Sequence, residues 1–124
     1  MNKTDARNLI RALRSGKYQQ GEGQLRTCDT APTHTRYCCL GVLCKIKGLE
    51  ELTNGFKSQG IIFNSLPPPK IAEMKSRDGN LGSSKLWEST NQETLANLND
   101  EGFTFEEIAD IIYGFIRSNL IHTL

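Results

Sequence analysis

Residues Tyr37–Cys44 read YCCLGVLC, and the segment continues as KIK to Lys47 before Gly48. The run begins polar and becomes almost wholly apolar, which is typical of a helix that is buried on all sides. A glycine directly after the last turn is a common C-terminal stop. We therefore expect a central buried helix at about Cys39–Lys47.

A basic helix and a glycine-rich turn precede this segment, because residues 13–26 read LRSGKYQQGEGQLR. Helical periodicity predicts a helix at Thr4–Ser15, with Thr4 as its N-cap and Gly16 as its stop. Beside the apolar stripe of this helix runs a basic stripe, which can line a cleft or extend over the core into water. The basic stripe consists of Lys3, Arg7, Arg11 and Arg14.

Shorter elements are expected in the middle of the chain. Two strands, Gln24–Cys28 and Arg36–Cys38, are predicted on either side of the polar loop Asp29–Thr35. Glycines and prolines divide residues 49–89 into short pieces. Within them we expect a strand at residues 60–63, a short helix at Pro69–Lys75, and a strand or packing anchor at Lys85–Trp87.

The last third predicts two helices, each opened by a capping box. Thr90 and Glu93 open the first helix, which ends at about Leu98; Thr104 and Glu107 open the second, which ends at about Leu120. The apolar arc of the second helix covers about half its circumference, which is more than a surface helix needs. Either deep burial or a homodimer contact would account for that arc.

These elements predict one α+β domain spanning residues 1–124, with several helices on a short two- or three-stranded antiparallel sheet. A chain of 124 residues can bury a core without disulfide staples. The sequence has neither a long apolar run nor a secretory leader, so we expect a cytoplasmic protein with reduced cysteines and no membrane association.

Charge is distributed unevenly along the chain. Residues 1–47 carry nine Lys/Arg and three Asp/Glu, a local charge of +6, whereas the remainder carries six and eleven, a local charge of −5. Such asymmetry predicts an anionic partner for the first half, or head-to-tail self-association. Alternatively, the two halves neutralise each other within one fold.

No catalytic or metal-binding constellation is recognisable. The four cysteines and His34 lack the paired spacing of zinc ligands, and neither His34 nor His122 has a recognisable partner for thiol catalysis. We therefore predict no metal, no cofactor and no enzymatic activity. A small zinc- or thiol-dependent enzyme is the alternative.

The two C-terminal helices also resemble the first half of a helix-turn-helix, which makes a DNA-binding regulator another alternative. The second helix, however, carries one basic residue, Arg117, among apolar positions. Phosphate contacts need several lysines or arginines on such an element. Nucleic acid is therefore the less favoured partner.

An anionic small molecule fits the residues of the N-terminal third better. Glycines can expose backbone N–H groups in a concave turn, arginines can bind phosphate in bidentate fashion, and tyrosines can stack on a base. The alternative is that Gly16, Gly21 and Gly23 only permit tight turns and Tyr18 packs in the core. The predicted ligand-binding residues are Arg14, Tyr18, Gln20, Gly21, Gly23, Arg26, Arg36 and Tyr37.

Three sequence blocks carry a family resemblance: ALRSGxYxQGxGxLR from Ala12, YCCLGVLC from Tyr37, and LNDxGxxFxEIADxI from Leu98. They resemble a family of small accessory proteins encoded by tailed bacteriophages and prophages. The resemblance implies a phage origin and a host-directed task in the host cytoplasm. Together with the basic N-terminal third, it leads us to expect a protein that counters a bacterial defence, either by sequestering a phosphorylated nucleotide signal or by occluding a host effector protein.

Overall fold

The computed structural model describes residues 1, 3–28, 35–67 and 92–117. They form four helices and two small antiparallel sheets, which confirms the expected α+β class. The helices in the described parts of the chain are too short or too polar to span a membrane. In chain order the elements are α1 (Lys3–Arg14), β1 (Arg26–Cys28), β2 (Thr35–Tyr37), α2 (Cys39–Ile46), β3 (Glu50–Leu52), β4 (Gly55–Ser58), β5 (Ile61–Phe63), α3 (Gln92–Asp100) and α4 (Phe105–Arg117).

Helix α2 is the centre of the core, as its apolar sequence predicts. Every residue from Cys39 to Cys44 is buried. Cys38 caps the helix, because its Sγ accepts a hydrogen bond from the Gly41 N–H at 3.4 Å. Gly48 follows the helix with φ of +79°, in the left-handed region that glycine adopts without strain.

Helices α1 and α4 pack along each other, and α2 also packs on α1. The capping box predicted for α4 is confirmed: Thr104 N–H donates to Glu107 Oε1 at 3.0 Å, and Glu107 N–H donates to Thr104 Oγ1 at 3.1 Å. Both apolar stripes are buried as their spacing predicts. They comprise Ala6, Leu9, Ile10 and Leu13 on α1, and Phe105, Ile108, Ala109, Ile112 and Ile116 on α4.

The two sheets are separate. The predicted hairpin is confirmed, with β1 antiparallel to β2 and Arg26 opposite Tyr37. Strands β3, β4 and β5 form a second antiparallel sheet in that order, of which the sequence predicted only β5. Gln59 and Gly60 link β4 to β5 with φ of +50° and +79°, the paired positive values that tight hairpin turns favour.

Several predicted features lie outside the described residues. They are the helix at Pro69–Lys75, the element at Lys85–Trp87, the capping residue Thr90, and the end of the last helix beyond Arg117.

Candidate anion-binding groove

A polar network lies beneath the glycine turn, by which we mean residues 15–25. Its centre is Asn99, a fully buried polar residue of α3. Asn99 Oδ1 accepts hydrogen bonds from the Cys39 N–H at 3.1 Å and from Gln20 Nε2 at 3.0 Å, and Asn99 Nδ2 donates to the Gly21 carbonyl at 2.6 Å. One amide thus joins the glycine turn, the start of α2 and the end of α3.

Gln20 extends this network to α4. Its Nε2 donates to the Phe103 carbonyl at 2.7 Å, and its Oε1 accepts from the Phe105 N–H at 3.0 Å. Both polar atoms of the Gln20 amide are therefore engaged within the protein. Gln20, a predicted ligand-binding residue, ties the turn to the helical pair instead of pointing to a ligand.

The backbone N–H groups of the glycine turn also have acceptors inside the protein. Gly21 N–H donates to the Tyr37 carbonyl at 2.8 Å, and Gly23 N–H donates to Asp100 Oδ1 at 2.8 Å. A carboxylate already lies where the sequence predicted a ligand anion. This corrects the expectation that Gly21 and Gly23 form an open cradle.

Tyr18, Arg26 and Tyr37 come together in a second place. The rings of Tyr18 and Tyr37 pack edge to face with centroids 5.5 Å apart, and the Arg26 guanidinium lies 6.0 Å from the Tyr37 centroid. Arg26 Nη1 donates to the Leu52 carbonyl at 2.6 Å. Arg26 thus connects β1 to β3 and lies against Tyr37 of β2, on which Tyr18 packs.

The carboxylate of Glu51 lies next to Arg26 and Tyr37, together with Lys45. We call these four residues the Glu51 cluster. Glu51 Oε1 accepts from the Tyr37 hydroxyl and from Lys45 Nζ, both at 2.8 Å, and Glu51 Oε2 lies 3.8 Å from Arg26 Nε. Partial burial acts to raise the pKa of Glu51, but the hydrogen bonds from Lys45 and Tyr37 outweigh it and hold that pKa below its usual value. Burial, and then the bond to Glu51, raises the pKa of Tyr37.

We expect Glu51→Gln to lower the free energy of unfolding by about 1–2 kcal/mol at pH 7, because it removes a carboxylate that accepts charge-assisted hydrogen bonds. The pKa of Glu51 is lower in the folded state, so its contribution is complete above the unfolded value of about 4.3 and is lost as the pH falls through the folded value. Urea unfolding at pH 7 and pH 3 measures both effects.

Glu50→Gln is the matched control, since Glu50 is an exposed glutamate on the same strand. We expect it to change stability by less than about 0.5 kcal/mol at either pH. An equal loss from both variants at pH 7, or a Glu51→Gln loss that persists unchanged at pH 3, would contradict the assigned role of the cluster.

The remaining predicted residues, Arg14 and Arg36, are exposed. Arg36 lies in β2, where its Cβ closes the space beside Gly21: a Cβ built on Gly21 would lie 2.9 Å from it. Arg14 lies at the end of α1 and forms an ion pair with Asp110 of α4. The eight predicted residues are thus divided among the polar network, the tyrosine pair and two exposed positions. They do not line one shared pocket.

The structure contains a groove that the sequence analysis did not predict. It lies at the end of α1, beside α4. Its volume is about 560 Å³, within the range of about 300–1,000 Å³ typical of small-molecule sites. Three arginines of the basic stripe line it, together with an exposed tyrosine. We call it the arginine groove; its lining residues are Arg7, Ile10, Arg11, Arg14, Ser15 and Tyr113.

The arginines of the groove differ in their partners. Arg14 Nη2 lies 2.6 Å from Asp110 Oδ1, whereas Arg11 Nη1 donates to the neutral Asn8 side chain at 3.3 Å. Within the described ranges, neither Arg7 nor Arg11 has a carboxylate at ion-pair distance. Tyr113 is 48% exposed, so its ring is available to a ligand in the groove.

Three of the four cysteines lie in the core, which is a poor setting for nucleophilic or metal chemistry. All four are free thiols, and Cys38, Cys39 and Cys44 are buried. Burial raises the pKa of Cys38 to about 11 and that of Cys44 to about 12, which disfavours the thiolate that nucleophilic or metal chemistry needs. In the described part of the chain, no three His, Cys, Asp or Glu side chains are arranged to hold a metal ion.

These observations define a small α+β domain with a basic groove between its first and last described helices. The chain belongs to the family described as a domain of unknown function, DUF8296, whose model matches residues 1–115. No curated protein and no solved structure matches the chain.

Proposed function

We propose that this protein is a non-enzymatic binding protein that sequesters a phosphorylated nucleotide in the arginine groove. The observation that carries the proposal is the row of Arg7, Arg11 and Arg14 along one groove, beside the exposed ring of Tyr113. Guanidinium groups are suited to bidentate phosphate recognition, and an aromatic face can stack on a base.

Helical geometry supports a ligand with several anionic groups. With a rise of about 1.5 Å per residue, Arg7 and Arg11 are about 6 Å apart along α1, and Arg7 and Arg14 about 10 Å. Positions separated by three or four residues share one face of a helix. Their side chains can therefore converge on one extended anion, such as a chain of phosphates.

The biological setting follows from the resemblance to tailed-phage accessory proteins. A phage protein that binds a phosphorylated nucleotide in the host cytoplasm would counter a bacterial defence by withdrawing its signal. Tight binding without a catalytic group is sufficient for that task.

Two exposed apolar side chains on strand β5 favour occlusion of a host effector protein as the second candidate function. Ile61 and Ile62 of β5 are each 59% exposed, although they are large aliphatic side chains. Successive residues of a strand point to opposite faces, so the two side chains give each face of β5 an exposed apolar contact for a partner protein. DNA binding by α4 is disfavoured, since its exposed residues include Glu106, Glu107 and Asp110.

Isothermal titration with a panel of mono-, oligo- and cyclic nucleotides tests the proposal. We expect one or more of them to bind, and the double variant Arg7→Ala/Arg11→Ala to weaken binding at least about 30-fold, because each arginine supplies charge-assisted hydrogen bonds. Circular dichroism of the variant should be unchanged, since both side chains are exposed.

Arg36→Ala is the matched control, because it removes an exposed arginine that lies beside the glycine turn instead of in the groove. It should change affinity less than about twofold. If Arg36→Ala abolishes binding and the double variant does not, the ligand lies at the glycine turn. The absence of heat with every nucleotide would end the proposal, and a mobility shift with a steep salt dependence would favour nucleic acid instead.

A further inference from the structure

The three arginines of the groove are not equivalent, and the difference bears on which anion the groove prefers. Arg14 already forms an ion pair with a carboxylate, since Asp110 Oδ1 lies 2.6 Å from Arg14 Nη2. Arg7 and Arg11 have no such partner among the described residues. An incoming anion therefore finds two arginines without a carboxylate partner among the described residues, and it competes with Asp110 for the third.

Asp110 lies on the groove side of α4. It precedes Tyr113 by three residues, a spacing that places both side chains on one face of the helix. The other charged residues on the exposed surface of α4 are Glu106, Glu107 and Arg117. Glu107 is engaged in the capping box with Thr104, and of these acids Asp110 is the one that contacts an arginine of the groove.

The ion pair is weak enough to be displaced. The Arg14 and Asp110 side chains are 40% and 67% exposed, and pairs so accessible to water contribute little to stability. A phosphate group carries up to two charges and three acceptor oxygens, so it competes well with one carboxylate for a guanidinium. A ligand with a single phosphate gains nothing from this displacement, because Arg7 and Arg11 already accommodate it.

We propose that Asp110 is a specificity-determining residue of the arginine groove: its carboxylate occupies Arg14 until a second phosphate replaces it. The inference rests on the proposed function and names its ligand class, molecules with two or more linked phosphates. One phosphate binds Arg7 and Arg11, and the next displaces Asp110 from Arg14. Ligands with one phosphate leave the ion pair intact.

Calorimetric titrations with AMP and with ATP, on the wild-type chain and three variants, test this assignment. We expect Asp110→Asn to raise the affinity for ATP about tenfold, as one freed charge-assisted contact would, and to change that for AMP less than about twofold. Arg14→Ala should lower the affinity for ATP toward that for AMP. In the Arg14→Ala background, Asp110→Asn should have no further effect, because the displaced contact no longer exists.

Glu106→Gln is the matched control, since it removes an exposed negative charge one turn earlier on α4 without touching Arg14. An equal gain from Glu106→Gln, an equal gain for AMP and ATP, or a gain that survives Arg14→Ala would show general charge removal and overturn the inference. If binding depends on Arg7 and Arg11 but Asp110→Asn leaves ATP affinity unchanged, only this inference fails. If neither nucleotide binds to the wild type or to Asp110→Asn, this inference fails, and the proposed function fails with it when the rest of the nucleotide panel also gives no heat.

Discussion

Replacing Gly41 by alanine should destabilise the fold severely, although alanine is the better helix former by about 1 kcal/mol. Gly41 lies inside α2, and the chain at Leu25 crosses directly over it. A Cβ at position 41 would overlap the Leu25 carbonyl oxygen and lie 2.7 Å from the carbonyl carbon. Both are backbone atoms, so no side-chain rotation can relieve the clash.

The segment at Leu25 cannot move away cheaply. Leu25 is fully buried, its N–H donates to the Asn64 carbonyl at 2.6 Å, and its carbonyl accepts from the Cys38 N–H at 3.3 Å. Relieving the overlap would break these bonds and open the core. We expect a loss of more than about 4 kcal/mol, a large part of the 5–15 kcal/mol that stabilises a typical domain.

Gly114→Ala is the matched control for Gly41→Ala. Gly114 also lies inside a helix, α4, but a Cβ there would meet nothing within 4 Å. That variant should be stabilised by about 0.5–1 kcal/mol. Thermal and urea unfolding of the two variants measure the contrast; a Gly41→Ala protein as stable as Gly114→Ala would show that α2 and the Leu25 segment do not approach this closely.

Helices were the predictable part of the fold, because their signals are local, although the N-cap predicted at Thr4 is wrong, since α1 begins at Lys3. The apolar run of α2, the stripes of α1 and α4, and the Thr104–Glu107 capping box each lie within one element, and the structure confirms them. Strands β3 and β4 were missed. Glu50–Leu52 has two adjacent glutamates, and nothing in the sequence shows that Lys45 and Tyr37 hold the second of them against the sheet.

The candidate site was harder to predict, because contacts between distant residues determine it. Gly23 and Asp100 are 77 residues apart in the chain, and Gln20 and Asn99 are 79 apart. A sequence shows an accessible glycine turn but not the amide and carboxylate that fill it. The basic stripe at Arg7, Arg11 and Arg14 could be recognised from the sequence. The sequence did not show that α4 packs beside this face of α1 and so forms a groove with it.

We expect Asn99→Leu to destabilise the protein by about 3–5 kcal/mol. Leucine branches at the same carbon as asparagine but is larger, so this substitution removes the hydrogen bonds, leaves no cavity and adds a cost of overpacking at a fully buried position. Three groups would lose a partner: the Cys39 N–H, the Gly21 carbonyl and Gln20 Nε2. Asn99 is fully buried, so water cannot replace the lost amide, and each buried unsatisfied group costs about 1–3 kcal/mol.

Asn97→Leu makes the same chemical change at an exposed position of the same helix, and it should alter stability by less than about 0.5 kcal/mol. Gln20→Leu should be less costly in the Asn99→Leu background than in the wild type, because the two side chains share a hydrogen bond and their losses cannot simply add. Urea unfolding of the four variants measures that coupling. Strict additivity would mean that the two amides act independently, and a mild loss for Asn99→Leu would mean that this amide does not join the turn to the helices. A strong coupling, with both losses large, is what a single network linking the two ends of the chain requires.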